Sequence, residues 1–227
     1  MVDEGDYHLV VDKPGGLVCH PTKGDDYSSL IGRLRLYYHG HEVEPRFVHR
    51  IDRETSGLVL VSKNRTAHRE LCRELESAVK SYVAVVEGSL YGEGVIDQPL
   101  GKAQGSRVVV KQSVVEGGKP SITEWRSLAC RDGFTLLRLV PRTGRMHQLR
   151  VHLQWLGYPI AGDKLYGHDE SLYLEFTEND WTERHERELP ARRQLLSAVK
   201  IETSTRTWRC PIPTDIEAFR DWGPLTV

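Results

Sequence analysis

The sequence predicts an α+β fold, a mainly antiparallel mixed sheet core with flanking helices, on three observations. Runs rich in β-branched and aliphatic residues recur from Leu9 to Cys210. Three of them, Arg107 to Val115, Ile122 to Ala129 and Phe134 to Val140, follow one another across short Gly, Pro or polar turns, as antiparallel strands do. Only a few stretches space their apolar residues for a helix. The 227 residues, 39% hydrophobic and 28% charged, suffice for one packed domain or a core with two lobes, and are read as a single domain over 1–227.

Each element has its own local reason. Leu9-Val10-Val11 forms a strand that stops at Lys13-Pro14-Gly15-Gly16. Leu30, Leu34 and Tyr37 mark a helix over 28–38 that Ser28 is placed to cap. Gly57 to Val61 is a continuous apolar run suited to a buried strand. Ala67, Leu71, Leu75 and Ala78 then line one face of a helix whose other face is rich in Arg and Glu. Lys80 to Glu87 returns to a strand. Met146, Leu149, Leu153 and Leu156 predict a helix over 145–156, ended by Gly157 with Pro159 just beyond. Leu195 to Ile201 should pair with Arg206 to Cys210, and a last helix should follow Thr214. The acidic segment 168–190 reads as an insertion or mobile loop.

Charge and composition exclude several classes. No apolar run approaches the roughly 18 residues of a membrane span. The acidic start, Met1 to Asp6, differs from a secretory signal, so a cytoplasmic protein is expected, a monomer by default. The four cysteines are too far apart for a zinc knuckle and read as free thiols. The formal net charge of -1 hides an uneven distribution. Asp169 to Glu188 carries -6, so the remainder stands at +5, and from Gly133 to Gly162 there is no acid at all. Such a local cationic field can hold a polyanion, although a solvated basic face is the commoner origin of a charge cluster.

Two segments contain polar residues that a core would not require. In His49-Arg50-Ile51-Asp52-Arg53-Glu54-Thr55-Ser56-Gly57, an aspartate lies among three cations at the entry to an apolar strand. In Arg142-Thr143-Gly144-Arg145-Met146-His147-Gln148-Leu149-Arg150-Val151-His152, His147, Arg150 and Gln154 fall off the apolar stripe of the expected helix. Lys80-Ser81-Tyr82 opens a third segment. Position by position, a turn or surface ion-pair role for Asp52 is the simpler reading, and filling the core is the alternative for Tyr82. His147 and His152, five apart, do not share a helix face, which argues against a common metal, and no dinucleotide, Walker or H-E-x-x-H pattern occurs.

Together these segments closely resemble the RluA-type family of RNA pseudouridine synthases. The signature H-R-[LI]-D-x-x-T-S-G is matched at His49, Arg50, Ile51, Asp52, Thr55, Ser56 and Gly57. Lys13-Pro14-Gly15-Gly16 with His20-Pro21 is similar to the family's opening element. Thr143-Gly144-Arg145 with His147-Gln148-Leu149-Arg150, and Gly157, Pro159-Ile160 and Gly162-Asp163, are similar to its C-terminal signature. The pieces keep family order over about residues 7–212.

The resemblance implies an enzyme that isomerises uridines of structured ribosomal or transfer RNA to pseudouridine, needing no cofactor and no metal. It implies Asp52 as the catalytic carboxylate, Tyr82 as the ring stacked on the flipped uracil, and Arg150 as the cation that pairs with Asp52. Arg50 would fill the gap in the RNA or hold a phosphate; Lys80 and Arg145 would contact phosphates. His49 joins these as an RNA-side residue of the signature, and His147 as its hydrogen-bond partner, with His152 structural. Ser197 stands where many relatives have histidine, and an N-terminal S4 RNA-binding domain is not expected. The alternatives are an RNA-binding or remodelling protein that keeps the fold without turnover, and a glycoside hydrolase using Glu54 as a second acid.

Overall fold

A computed structural model of the chain describes residues 1–21 and 26–223. It divides into two compact units, one of residues 1–80 with 197–213, the other of residues 81–196 with the C-terminal segment from Thr214. Strands and helices confirm the α+β class, and of the strand pairs described below one is parallel and the others antiparallel.

In the first unit, β1 (Asp3–Glu4) pairs with β2 (His8–Lys13), which runs antiparallel to β4 (Ser56–Ser62) from His8↔Ser62 to Lys13↔Gly57. The short β3 (Arg46–Phe47) also lies on β4. The mixed character of the sheet comes from β11 (Leu196–Glu202), whose Ser197 and Ala198 run parallel to Ser56 and Gly57; β12 (Thr207–Arg209) pairs antiparallel with β11. The continuous apolar run in β4 has a plain cause: this sheet is covered on both faces. Val59 and Val61, with Leu9 and Val11, pack against Leu30 and Leu34 of α1 (Leu30–Tyr37). Leu58 and Leu60, with Val10, pack against Leu71 and Leu75 of α2 (Arg65–Glu76). Each leucine so buried contributes about 1.5–3 kcal/mol relative to exposure.

Gly57 enters β4 at φ +104°, and a Cβ there would meet the Ala198 carbonyl oxygen and come within 2.6 Å of its nitrogen. A side chain would add both left-handed strain and a backbone clash, so the last residue of the signature is dictated by the approach of β11.

The second unit is built on β5 (Val79–Glu87, from Ser81 onward), β10 (Phe134–Pro141), β9 (Ile122–Arg131) and β6 (Glu93–Asp97), each antiparallel to the next. Leu149 and Leu153 of α3 (Gln148–Trp155) pack on Ala84, Val86, Leu137 and Leu139 of this sheet. A separate hairpin, β7 (Leu100–Lys102) with β8 (Gln112–Val114), completes its strands.

Several expectations are corrected. Ser29 rather than Ser28 caps α1, accepting from the Gly32 N–H at 3.2 Å. The strand expected over 107–115 shrinks to β8, because the donors before it go elsewhere: Arg107 N–H to Glu170 Oε1 at 2.9 Å, Val108 N–H to Ser106 Oγ at 3.0 Å and Lys111 N–H to the Val108 carbonyl at 3.0 Å. β6 and β7 were not foreseen. The helix expected over 145–156 begins at Gln148; Met146 is half exposed, and His147 sits at φ +56° just before the first turn. The acidic segment is not an irregular loop but holds α4 (Ser171–Asn179) and α5 (Glu183–Glu188), anchored by His185, whose ring is buried and lies 2.9 Å from the Leu172 carbonyl. The last helix, α6 (Thr214–Glu217), follows Thr214 as expected but is a single turn. Gly157, at φ +89°, ends α3 as expected.

Candidate active site

In the first unit, the loop from β3 to β4 carries His49, Arg50 and Asp52, and its backbone is held from a distant part of the chain. Lys13, fully buried, donates its ammonium to the carbonyls of Pro14 (2.9 Å), Leu17 (2.9 Å) and Arg53 (3.0 Å). The Gly16 N–H donates to the Arg53 carbonyl at 2.9 Å, and Arg53 Nε returns a bond to the Gly16 carbonyl at 3.2 Å. On the other side of Asp52, the Cys19 thiol lies 3.5 Å from the Ile51 carbonyl. Asp52 is therefore bracketed by carbonyls fixed to the Lys13–Cys19 segment. Ammonium hydrogen bonds to carbonyls are charge-assisted and stronger than neutral ones. The Lys-Pro element thus has a physical task that motif matching alone did not reveal: it clamps the aspartate loop.

His49 is locked by accepting the Leu60 N–H at Nε2, 3.2 Å away, which puts the ring proton on Nδ1. Burial, and then the charge of Lys80, push its pKa down to about 4 from the ordinary 6.5. Lys80 is itself lowered by burial. Arg50 is exposed and has no acidic partner among the described residues.

The depressed histidine has a consequence for stability. Between pH 6.5 and 4 the unfolded chain takes up a proton at His49 that the folded chain refuses, so folding stability is intact above 6.5 and falls as the pH drops towards 4. His20 and His152, also held down chiefly by burial, act in the same direction. Urea unfolding at a series of pH values should show this decline, and His49→Gln should flatten part of it. A wild-type profile level across that window would contradict the assignment.

In the second unit, Tyr82 lies on β5 opposite Leu139 and is partly buried against the core there. Arg150 of α3 is not on an exposed polar edge, as its place off the apolar stripe suggested, but 7% exposed. Its guanidinium grips the fully buried Asp163 with two bonds, Nε to Oδ2 at 2.7 Å and Nη2 to Oδ1 at 2.9 Å. Asp163 also accepts the N–H groups of Leu165 and Tyr166, each at 3.0 Å. Burial alone would raise this carboxyl, but the Arg150 charge, its hydrogen bonds and the two backbone donors together hold it below its ordinary value. Arg150 further stacks over the Tyr166 ring at 4.8 Å. The Tyr166 hydroxyl accepts from the Gln112 N–H at 2.9 Å and shares a hydrogen bond with His147 Nδ1 at 2.8 Å.

The Thr143-Gly144-Arg145 turn is secured by Gln148, whose Oε1 accepts from the Thr143 hydroxyl (2.8 Å) and the Arg145 N–H (3.0 Å) while its amide donates to the Ile122 carbonyl (2.9 Å). Arg145 itself is exposed, with Nε 3.3 Å from the Pro120 carbonyl. His152 is fully buried between Thr123 Oγ1 and the Gln98 carbonyl, the structural role expected of it. The structure thus gathers His147 and Arg150 with Asp163 and Tyr166 into one cluster, and His49, Arg50 and Asp52 into one loop. Sequence reasoning missed Lys13, Asp163 and Tyr166 as site residues. Lys13 and Asp163 had one signal, membership of quoted motifs; Tyr166 had none.

The first unit holds a clamped aspartate loop and the second a buried arginine cluster, each on an α+β frame, and comparison with known proteins identifies the class. A family described as RNA pseudouridylate synthase matches residues 7–155. The chain belongs to the RNA pseudouridylate synthase family. Among its particular relatives, the ribosomal large subunit pseudouridine synthase D of Nitrosomonas europaea is 35% identical over 95% of this chain and 62% of its own length. That of Pseudomonas aeruginosa is 36% identical over 95% of this chain and 68% of its own. The structure of human RNA pseudouridylate synthase domain containing 1 is similar with a TM-score of 0.72, 26% identity, and coverage of 96% of this chain and 86% of that one. The chain spans less than two thirds of the length of the Nitrosomonas relative.

Proposed function

We propose that this protein is an RNA pseudouridine synthase that isomerises uridines in ribosomal RNA. Asp52 would be the reacting carboxylate, Tyr82 the ring that stacks on the extruded uracil, and Arg150 the cation that keeps the carboxylate charged. Lys80, Arg50 and Arg145 would serve the RNA backbone, and His147 would act as a hydrogen-bond partner within the signature. The observation that carries most weight is the family match across residues 7–155 together with the Lys13 clamp on the Asp52 loop. The relatives named for the ribosomal large subunit favour ribosomal over transfer RNA.

The reaction balances within the substrate. The bond from ribose C1' to uracil N1 breaks, the base turns, C1' joins C5, and the C5 hydrogen is lost as N1 gains one. No redox equivalent or group donor enters, so the chemistry requires no cofactor. The target base must leave its stack to be reached. We place the protein in the cytoplasm, as a monomer; among the described residues no helix is long and apolar enough to cross a membrane.

Mapping pseudouridines across total RNA by carbodiimide adducts and primer-extension stops, with and without the gene, tests the reading. Stops at one or more large-subunit sites should vanish in the deletion strain and return with the wild-type gene. Loss confined to transfer RNA would move the substrate. An unchanged map would remove the proposed activity and leave a fold that binds RNA without turnover.

A further inference from the structure

The first unit contains a cavity of about 510 Å³, one wall of which is the start of the Asp52 loop, Val48 to Arg50. Its polar lining is out of balance. Arg35 from α1, Arg46 from β3 and Arg50 supply three guanidinium groups, while among the described residues Glu44 is the only carboxylate in the wall. Glu44 is engaged by Arg46 at 2.6 Å, so Arg35 and Arg50 have no acidic partner among the described residues. Both act on one ring of the wall: burial, then Arg50 and Arg35, hold the His20 imidazole below its ordinary value. The Nε of Arg46 is buried without an acceptor among the described residues, a donor that costs stability until something accepts from it. The same wall carries an aromatic pair, His20 edge-on to Phe47 with centroids 5.1 Å apart at 89°.

A solvated basic face would explain loose arginines on a convex surface. It does not explain a concavity with surplus cations, an unsatisfied buried donor and a ring pair. Surplus cations call for an anion, here a phosphate, which guanidinium groups grip with paired hydrogen bonds. His20 is exposed and Phe47 half-buried, and an accessible ring in a protein that handles RNA offers a stacking face for an unpaired base. The volume lies within the range of small-ligand sites and suits one nucleotide.

We infer that this cavity is an accessory nucleotide subsite that takes one unpaired nucleotide of the substrate RNA, near the uridine to be isomerised. Its phosphate lies on Arg35, Arg46 and Arg50, and its base lies against the His20–Phe47 pair. The inference rests on the reading of the protein as an RNA-modifying enzyme, and it adds a source of selectivity: RNAs that can extrude a second nucleotide are preferred.

The test uses the full chain and an unmodified transcript of bacterial large-subunit ribosomal RNA, with affinity measured from 50 to 200 mM salt and pseudouridine read by primer extension. Arg35→Gln and Arg46→Gln should each weaken binding and lower the slope of log affinity against log salt by about 0.7–1. His20→Ala should weaken binding roughly 5- to 100-fold with the slope unchanged, as loss of stacking does. Glu44→Gln, which removes the one carboxylate and frees Arg46, should bind more tightly than wild type. Wild-type slope and affinity in both arginine variants, with the transcript still bound and modified, would overturn the subsite and leave the enzyme reading intact. The predicted slopes without any pseudouridine would support the subsite and overturn the enzyme reading; no binding by any variant would overturn both. If an arginine variant melts early, Glu44→Gln decides: tighter binding supports the subsite, and unchanged or weaker binding overturns it.

Discussion

Asp52→Asn is expected to lower pseudouridine formation by roughly 10⁴-fold or more, the scale on which enzymes lose turnover when a reacting group is removed. That corresponds to about 5.5 kcal/mol of transition-state stabilisation. The substitution keeps the shape and removes the charge. It should leave the loop in place, because Lys13, Gly16 and Cys19 hold the carbonyls of Arg53 and Ile51 on either side of it. RNA affinity should therefore stay within a few-fold of wild type and the melting temperature within a degree or two. Single-turnover assays on the mapped target RNA separate these quantities. A residual rate within tenfold of wild type would take the reacting role away from Asp52. A collapse in melting temperature would show instead that the carboxylate holds the loop together.

The second large effect is on stability. Asp163→Ala removes the bidentate partner of a 7% exposed guanidinium and strips two backbone donors of their acceptor. Breaking one side of a buried pair costs about 3–5 kcal/mol, because the remaining charge stays buried. For a chain of this size that is a fall of roughly 6–20 °C in melting temperature. The stabilisation has a defined pH window. A carboxyl held below its unfolded value of 3.8 contributes fully above that value and loses its contribution as the pH falls through the folded one. The melting temperatures of Asp163→Ala and wild type should therefore converge only in strong acid. A gap of less than about 2 °C at neutral pH would mean that Arg150 is held by other contacts and that Asp163 is dispensable. Activity should fall with the alanine variant as well, since the guanidinium loses the bonds that fix its direction.

Much of the frame was legible in the sequence because its signals are local. β2, β4, β5, β9, β10, β11 and the body of α2 follow from spacing and turn residues within about ten positions. The errors have identifiable causes. Arg107 to Val115 has strand composition, yet Glu170, far along the chain, takes the Arg107 donor, and Ser106 and Val108 take those of Val108 and Lys111. Met146 continues the helical spacing, but Gln148 has already capped the turn before it, so the stripe runs past the true start of α3. The acidic segment looked too charged to fold alone. It is helical because Leu172 and His185 are buried, and burial cannot be read from charge.

The sequence by itself determined the family, the residue types of the Asp52 loop and the positions of glycines such as Gly57, since motif order and backbone freedom are written along the chain. Only the tertiary structure decided that Lys13 clamps the Asp52 loop across forty residues and that Arg150 is buried against Asp163. The reason is physical: a hydrogen bond or ion pair depends on which atoms the fold brings within about 3 Å in a place that water has left, and distance along the chain does not encode that.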